Sequence, residues 1–113
     1  MNLNLFRDLV TKTAQDKGWG WTDEQKKDPN FLSAQLMLIV SECSEALEDV
    51  RERKMGTFIN EKGKPEGFPT EIIDVLIRAL HLCGELNIDA HEEFMKKAQY
   101  NSTRTFRHGN KAL

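Results

Sequence analysis

Four acids in two pairs carry the first chemical signal in this 113-residue chain: Glu42 and Glu45 in SECSEALEDV, and Glu71 and Asp74 in TEIIDVLIRALHL. Acids three positions apart on a helix have Cβ atoms about 5–6 Å from each other. Two such pairs facing one another gather four carboxylates in a partly dry setting, where they repel and some must take up protons. A divalent cation removes the conflict. All-oxygen ligation favours magnesium, with manganese as a substitute, over zinc or copper, and magnesium readily shares its shell with substrate phosphates. One ExxE or ExxD arises by chance in any acidic helix. Two of them, each beside an apolar stripe on a separate helix, point to a metal site. A di-iron carboxylate centre needs Glu-x-x-His; His81, His91 and His108 are preceded at three positions by Arg78, Ile88 and Thr105, which excludes it.

A second group of residues lies near the C-terminal end. Lys97, Asn101 and Arg104 follow i, i+4, i+7 spacing and fall within about 60° of one another on a helical wheel. Arg107, His108 and Lys111 come next. By itself this strip reads as a solvated helix face with a basic tail. Beside acids that hold a cation, lysine, amide and guanidinium groups describe a polyphosphate site, with His108 a candidate phosphate contact. Trp19 and Trp21 are candidates for stacking on a nucleobase, although a loop tryptophan also packs onto a domain edge. Lys54, Lys62 and Lys64 sit in or beside a glycine-rich loop that either closes over a ligand or stays solvated.

Four helices position these groups. Residues 3–17 carry apolar side chains at helical spacing, with Gly18 as a left-handed stop. Asp28-Pro29 supplies an N-cap followed by proline at the first helical position, predicting a helix from there to about Lys54. Pro69 opens a third helix that runs to about Leu86, and Asp89 with Glu92 has capping-box spacing for a fourth over 90–103. No segment alternates apolar and polar residues, so no strand is expected. The expected fold is an all-α four-helix bundle forming one domain over 1–113, its tail 104–113 irregular and basic.

With Glu42 at zero on the wheel, Glu45 falls near −60° and Asp49 near −20°, taking about 100° per residue. The stripe Leu36, Ile39, Cys43, Ala46, Leu47, Val50 centres near +95° and is the expected core-facing side, flanked by the acids. The third helix is apolar around most of its circumference, which implies burial on several sides. A homo-oligomer with that helix near the subunit interface is expected.

The bulk properties narrow the partners. A formal charge of −2 shows no bias toward a nucleic-acid polymer or an anionic membrane. No apolar run approaches the roughly 20 residues that span a bilayer, and MNLNLFRDL lacks the basic start and apolar stretch of a secretory signal. A cytoplasmic, soluble protein is expected, with Cys43 and Cys83 as buried reduced thiols.

ECSE (42–45), EIID (71–74) and KAQYNSTR (97–104), in that order and at those gaps, resemble the ExxE…ExxD and KxxxNxxR signature of the MazG-like all-α nucleoside triphosphate pyrophosphohydrolases. The likeness extends from about residue 31 to the RHGNKAL ending and is similar to short, single-domain members. It implies magnesium-dependent hydrolysis of a (deoxy)nucleoside triphosphate to the monophosphate and pyrophosphate, by a bundle assembled as a homodimer or homotetramer. By motif match, Glu42, Glu45, Glu71 and Asp74 are the expected magnesium ligands, Glu42 and Glu45 the catalytic pair, and Lys97, Asn101 and Arg104 the substrate contacts. Relatives often carry a further acid where this chain has Ser41, which leaves Glu42 itself, Glu48 or Asp49 to orient water. The related substrates dUTP and phosphoribosyl-ATP remain open, as does a non-catalytic helical module holding a structural cation.

Overall fold

A computed structural model describes residues 2–105. Helix α1 (Leu3–Asp16) starts where the Asn2 side chain accepts a hydrogen bond from the Asn4 amide at 2.8 Å. It ends at Lys17, before Gly18 turns to φ +87°. In the connecting loop Thr22 and Gln25 cap each other, the Thr22 amide donating to Gln25 Oε1 at 2.8 Å and the Gln25 amide to Thr22 Oγ1 at 3.1 Å. This reciprocal pairing opens one 3-10 turn, Gln25–Lys27.

Helix α2 (Pro29–Arg51) begins as expected, with Asp28 accepting from the Asn30 amide at 2.9 Å and proline in its first turn. It stops three residues short of Lys54, because Arg53 adopts φ +60° and cannot continue the helical ladder. A hairpin then forms that sequence patterning did not reveal: β1 (Phe58–Ile59) pairs antiparallel with β2 (Pro65–Glu66). Two residues per strand are too few to show alternation. Asn60 builds the turn instead, its side-chain oxygen accepting from the amides of Lys62 at 2.8 Å and Lys64 at 2.9 Å. Gly67 (φ +111°) leads directly into α3 (Phe68–Glu85), and its missing Cβ leaves room for the Gly56 carbonyl. Helix α4 (Ala90–Thr103) has the expected limits, with Asp89 accepting from the Glu92 amide at 2.9 Å.

The described residues are thus all-α in class, with four helices and one very small sheet. Among them no helix is long and apolar enough to cross a membrane. The centre is α3, which packs against both α2 and α1. Helix α4 joins the rest through its first turn. The Leu3 amide donates to His91 Nδ1 at 3.1 Å, Asn4 Nδ2 to Asp89 Oδ1 at 2.9 Å, and Arg7 to the Ile88 carbonyl at 2.8 Å. After His91 every described residue of α4 is exposed.

The packing face of α2 departs from the expected one. Positions withdrawn from solvent are Phe31, Leu32, Gln35, Ile39, Glu42, Ala46 and Asp49, whereas Leu36, Cys43, Leu47 and Val50 are exposed. The helix is therefore turned so that the border between its acid strip and its main apolar stripe lies in the seam. Glu42 and Asp49 come from the first and Ile39 and Ala46 from the second, while Glu45 is exposed. Ala46 is the small residue on that face and permits the close approach. Cys43 is consequently an exposed thiol; Cys83 is half-buried, and burial pushes its pKa up.

Helix α1 approaches α3 most closely at Gly84, where a Cβ would overlap the Thr11 side chain. Thr11 is itself buried, and its hydroxyl donates to the Arg7 carbonyl at 2.7 Å. Replacing a helical glycine by alanine ordinarily stabilises by up to about 1 kcal/mol, less near a helix end such as this one. Here overpacking dominates, so Gly84→Ala should destabilise by about 1–3 kcal/mol. Urea titration followed by circular dichroism reads the sign, and a stabilised variant contradicts the contact.

Candidate metal centre

Neighbouring antiparallel helices bring the two acid pairs to one place. Glu42 and Glu45 come from the C-terminal half of α2, and Glu71 from the first turn of α3, where the helix dipole favours an anion. Each of these three offers a carboxylate oxygen, and the oxygens lie within 4.8 Å of one another. Oxygens around a magnesium ion at about 2.1 Å are separated by roughly 3–4 Å, so a slight closure of side chains would bring these three oxygens to one ion, with water or substrate left to fill its other positions. Asp74 lies outside that trio but within its field. Burial raises the Asp74 pKa, the charges of Glu42 and Glu45 raise it further, and Lys64 and Arg78 oppose the rise.

Two properties mark the trio as unfinished. Glu42 is buried, with Oε1 accepting from Arg78 Nε at 2.9 Å while Oε2 has no hydrogen-bond partner. Glu71 Oε2 is likewise buried and unpartnered, as is Asp49 Oδ2 further along the same strip of α2. A buried polar atom without a partner costs about 1–3 kcal/mol, more when charged. The second property is protonation. Loss of surrounding water, then hydrogen bonding to Glu45 and Glu42, then the charges of Glu45 and Asp74 push the Glu71 carboxyl up to about 7. The donor set is all oxygen and rich in negative charge, which fits a hard divalent ion.

The sequence-derived cations are placed elsewhere. Lys97, Asn101 and Arg104 are exposed on α4, whose packing partner is α1. Lys97 and Arg104 lie over the Tyr100 ring, 5.6 and 5.7 Å from its centroid. Within one chain, therefore, the basic strip meets Tyr100 and not the acids. His108 lies outside the described residues. The positive charges that reach Asp74 are those of Arg78 and Lys64. The acidic motifs do not include Arg78; its signal in the sequence is a guanidinium interrupting DVLIRALHL one turn after Asp74.

Farther along the seam, Trp21 sits against Phe31 (centroids 5.1 Å apart, planes at 85°) and against His81 (5.5 Å). Trp19 is exposed. His81 is half-buried, with Nε2 2.8 Å from Glu85 Oε2, and Lys26 Nζ stands 4.0 Å from Glu85 Oε1. Glu71, Asp74, Arg78, His81 and Glu85 share one strip of α3, within about 80° on the wheel, and Asp74 to His81 spans roughly 10 Å of helix axis. The acids and Trp21 thus lie toward opposite ends of one strip of α3.

A scan of protein-family models finds no match to this chain, and searches of curated proteins and of solved structures find none either.

The raised Glu71 pKa has a thermodynamic consequence. The folded state binds this proton more tightly than the unfolded chain, so the stabilisation is complete below the ordinary value of 4.5 and disappears as pH rises through about 7. Metal-free protein should lose thermal stability between those limits, and Glu71→Gln should flatten that part of the profile. Differential scanning calorimetry at several pH values makes the comparison. Parallel profiles for the two proteins remove Glu71 as the source.

Proposed function

We propose that this chain is a magnesium-dependent nucleoside triphosphate pyrophosphohydrolase of the MazG-like all-α type, cleaving its substrate to a nucleoside monophosphate and pyrophosphate. The observation that carries the reading is the convergence of Glu42, Glu45 and Glu71, with buried unpartnered oxygens on two of them, at the positions of the acidic motifs. With Asp74 beside them, these residues would hold the cation. Bound there, magnesium supplies polarisation of a phosphoryl oxygen and a lowered pKa for water, from about 15.7 toward neutrality.

The chain's own residues divide the remaining work. Water adds across the α–β anhydride, the bridging bond breaks, and the water's proton needs an acceptor. Asp49, with a buried oxygen lacking a partner, is better suited to accept it than Glu48, which is exposed and pairs with Arg51 at 3.3 Å. Arg78 and Lys64 are the same-chain cations available to offset phosphate charge. With phosphates at the acids, a nucleoside extends along the seam toward Trp21, and the roughly 10 Å of axis between Asp74 and His81 matches that reach. Trp21 is then the stronger stacking candidate of the two tryptophans. The setting on this reading is the cytoplasm.

The working form on this reading is a homodimer or homotetramer. Leu36, Leu47 and Val50 on α2, and Ile72, Ile73 and Leu76 on α3, are exposed in the single chain. Covering them with a second copy buries apolar surface at about 25 cal/mol per Å². The same association can carry the basic strip of one copy's α4 to the acids of another.

Two measurements test the proposal. Incubation with ribo- and deoxynucleoside triphosphates and magnesium, with products separated by anion exchange, should show pyrophosphate instead of orthophosphate. Glu42→Gln and Asp74→Asn should each abolish most of that release while leaving the far-UV circular dichroism unchanged; near-normal turnover by both refutes the ligand assignment. Light scattering should report a mass two or four times the 13.0 kDa of the chain. A monomeric mass at micromolar concentration rules out the assembly.

A further inference from the structure

Arg78 is the charged residue of the seam that the acidic motif leaves without a role. It follows Asp74 by one turn and lies on the same strip of α3, within about 40° of Asp74 on the wheel. Its Nε donates to Glu42 Oε1 at 2.9 Å, and among the described residues it pairs with neither Glu45 nor Glu71. The contact is made at the guanidinium's inner edge. Glu42's side chain is 11% exposed and Arg78's is 40% exposed, so the guanidinium spans from the buried carboxylate to the solvent side of the seam.

This geometry separates two roles. A guanidinium that substitutes for a cation sits among the carboxylates and draws on several of them. Arg78 is hydrogen-bonded to one oxygen of one carboxylate, its charge reaching Asp74 without a direct pair. It leaves the other oxygen, Glu42 Oε2, buried, unpartnered and grouped with Glu45 and Glu71. Fixing one oxygen of a carboxylate sets the plane and direction of the second. Groups that orient ligands in this way commonly change metal affinity 10–100-fold when removed. The outer guanidinium edge keeps N–H donors in the planar fork that matches phosphate oxygens.

We infer that Arg78 is a positioning residue: it holds Glu42 Oε1 so that Oε2 stays directed into the cation site, and it presents its outer edge to an anion bound beside that cation. The inference rests on the cation-site reading and adds a residue outside the acidic motif. Lysine cannot replace it fully, because one ammonium does not grip a carboxylate and a phosphate as two edges of a plane do.

The test is manganese binding to the full chain without nucleotide, read as free Mn2+ by electron paramagnetic resonance, for the wild type, Arg78→Gln and Arg78→Lys. Inorganic pyrophosphate is then added as the anion probe. Circular dichroism verifies folding. Arg78→Gln should weaken Mn2+ binding 10–100-fold and lose pyrophosphate binding in the presence of Mn2+, with Arg78→Lys intermediate in both. Unchanged or tighter Mn2+ binding by Arg78→Gln overturns the inference and makes Arg78 a bystander or a competitor. If Arg78→Gln fails to fold, Arg78→Lys decides: weakened binding supports positioning, and full affinity for both probes overturns it. Absence of Mn2+ binding by the wild type removes the cation-site reading itself, and this inference with it.

Discussion

Like charges placed between two packed helices are the constraint around which this structure is organised. Helix α2 turns the border between its acid strip and its apolar stripe inward, so Glu42 is buried while exposed Glu45 and half-buried Glu71 come into reach of one another. Carboxylates brought together out of water must be protonated, paired or bound to a cation. The first two responses are visible. Glu71 holds its proton to about pH 7, Arg78 pairs with Glu42, and the remaining buried oxygens have no partner. Glu42 Oε2, Glu71 Oε2 and Asp49 Oδ2 lack a hydrogen-bond partner at this end of the seam, as Glu85 Oε1 does at the other.

The other end of the same seam shows a different treatment of a buried acid. Glu85, with 1% of its side chain exposed, has His81 against one oxygen and Lys26 near the other. Lys26 Nζ, 4.0 Å from Glu85 Oε1, fastens the loop before α2 to the end of α3, while His81 and Glu85 pair within α3 itself. Trp21 completes the fastening by packing between Phe31 and His81. The seam therefore has one end where a single acid is flanked by His81 and Lys26, and another where three acids gather with Arg78 paired to one of them. Arg78 stands between them and borrows from both: it neutralises Glu42 without occupying the space the three carboxylates surround.

How much of this was legible depends on the range of the interactions involved. Helix starts were readable because a cap is local: Asp28 and Asp89 bond to amides two and three residues ahead. The end of α2 was misjudged, since nothing in its composition announces the left-handed turn at Arg53. The hairpin was missed because its strands are too short to alternate and its turn depends on the Asn60 side chain. The acid pairs were found by spacing, and three of the four acids do converge. The basic strip on α4 was found by the same rule, yet spacing says nothing about where a helix docks. Its Lys97 and Arg104 lie over Tyr100 instead.

The amino-acid sequence by itself determined the all-α class, the helix starts and the presence of two acid pairs at helical spacing, because caps, periodicity and i, i+3 geometry involve only neighbours along the chain. Tertiary structure decided which face of α2 is buried, that Glu42 is held by Arg78 from another helix, and that Thr11 fits against Gly84. Those outcomes depend on the rotation and separation of packed helices. Several apolar stripes compete for the same core, and which one wins is settled by contact between elements far apart in the chain.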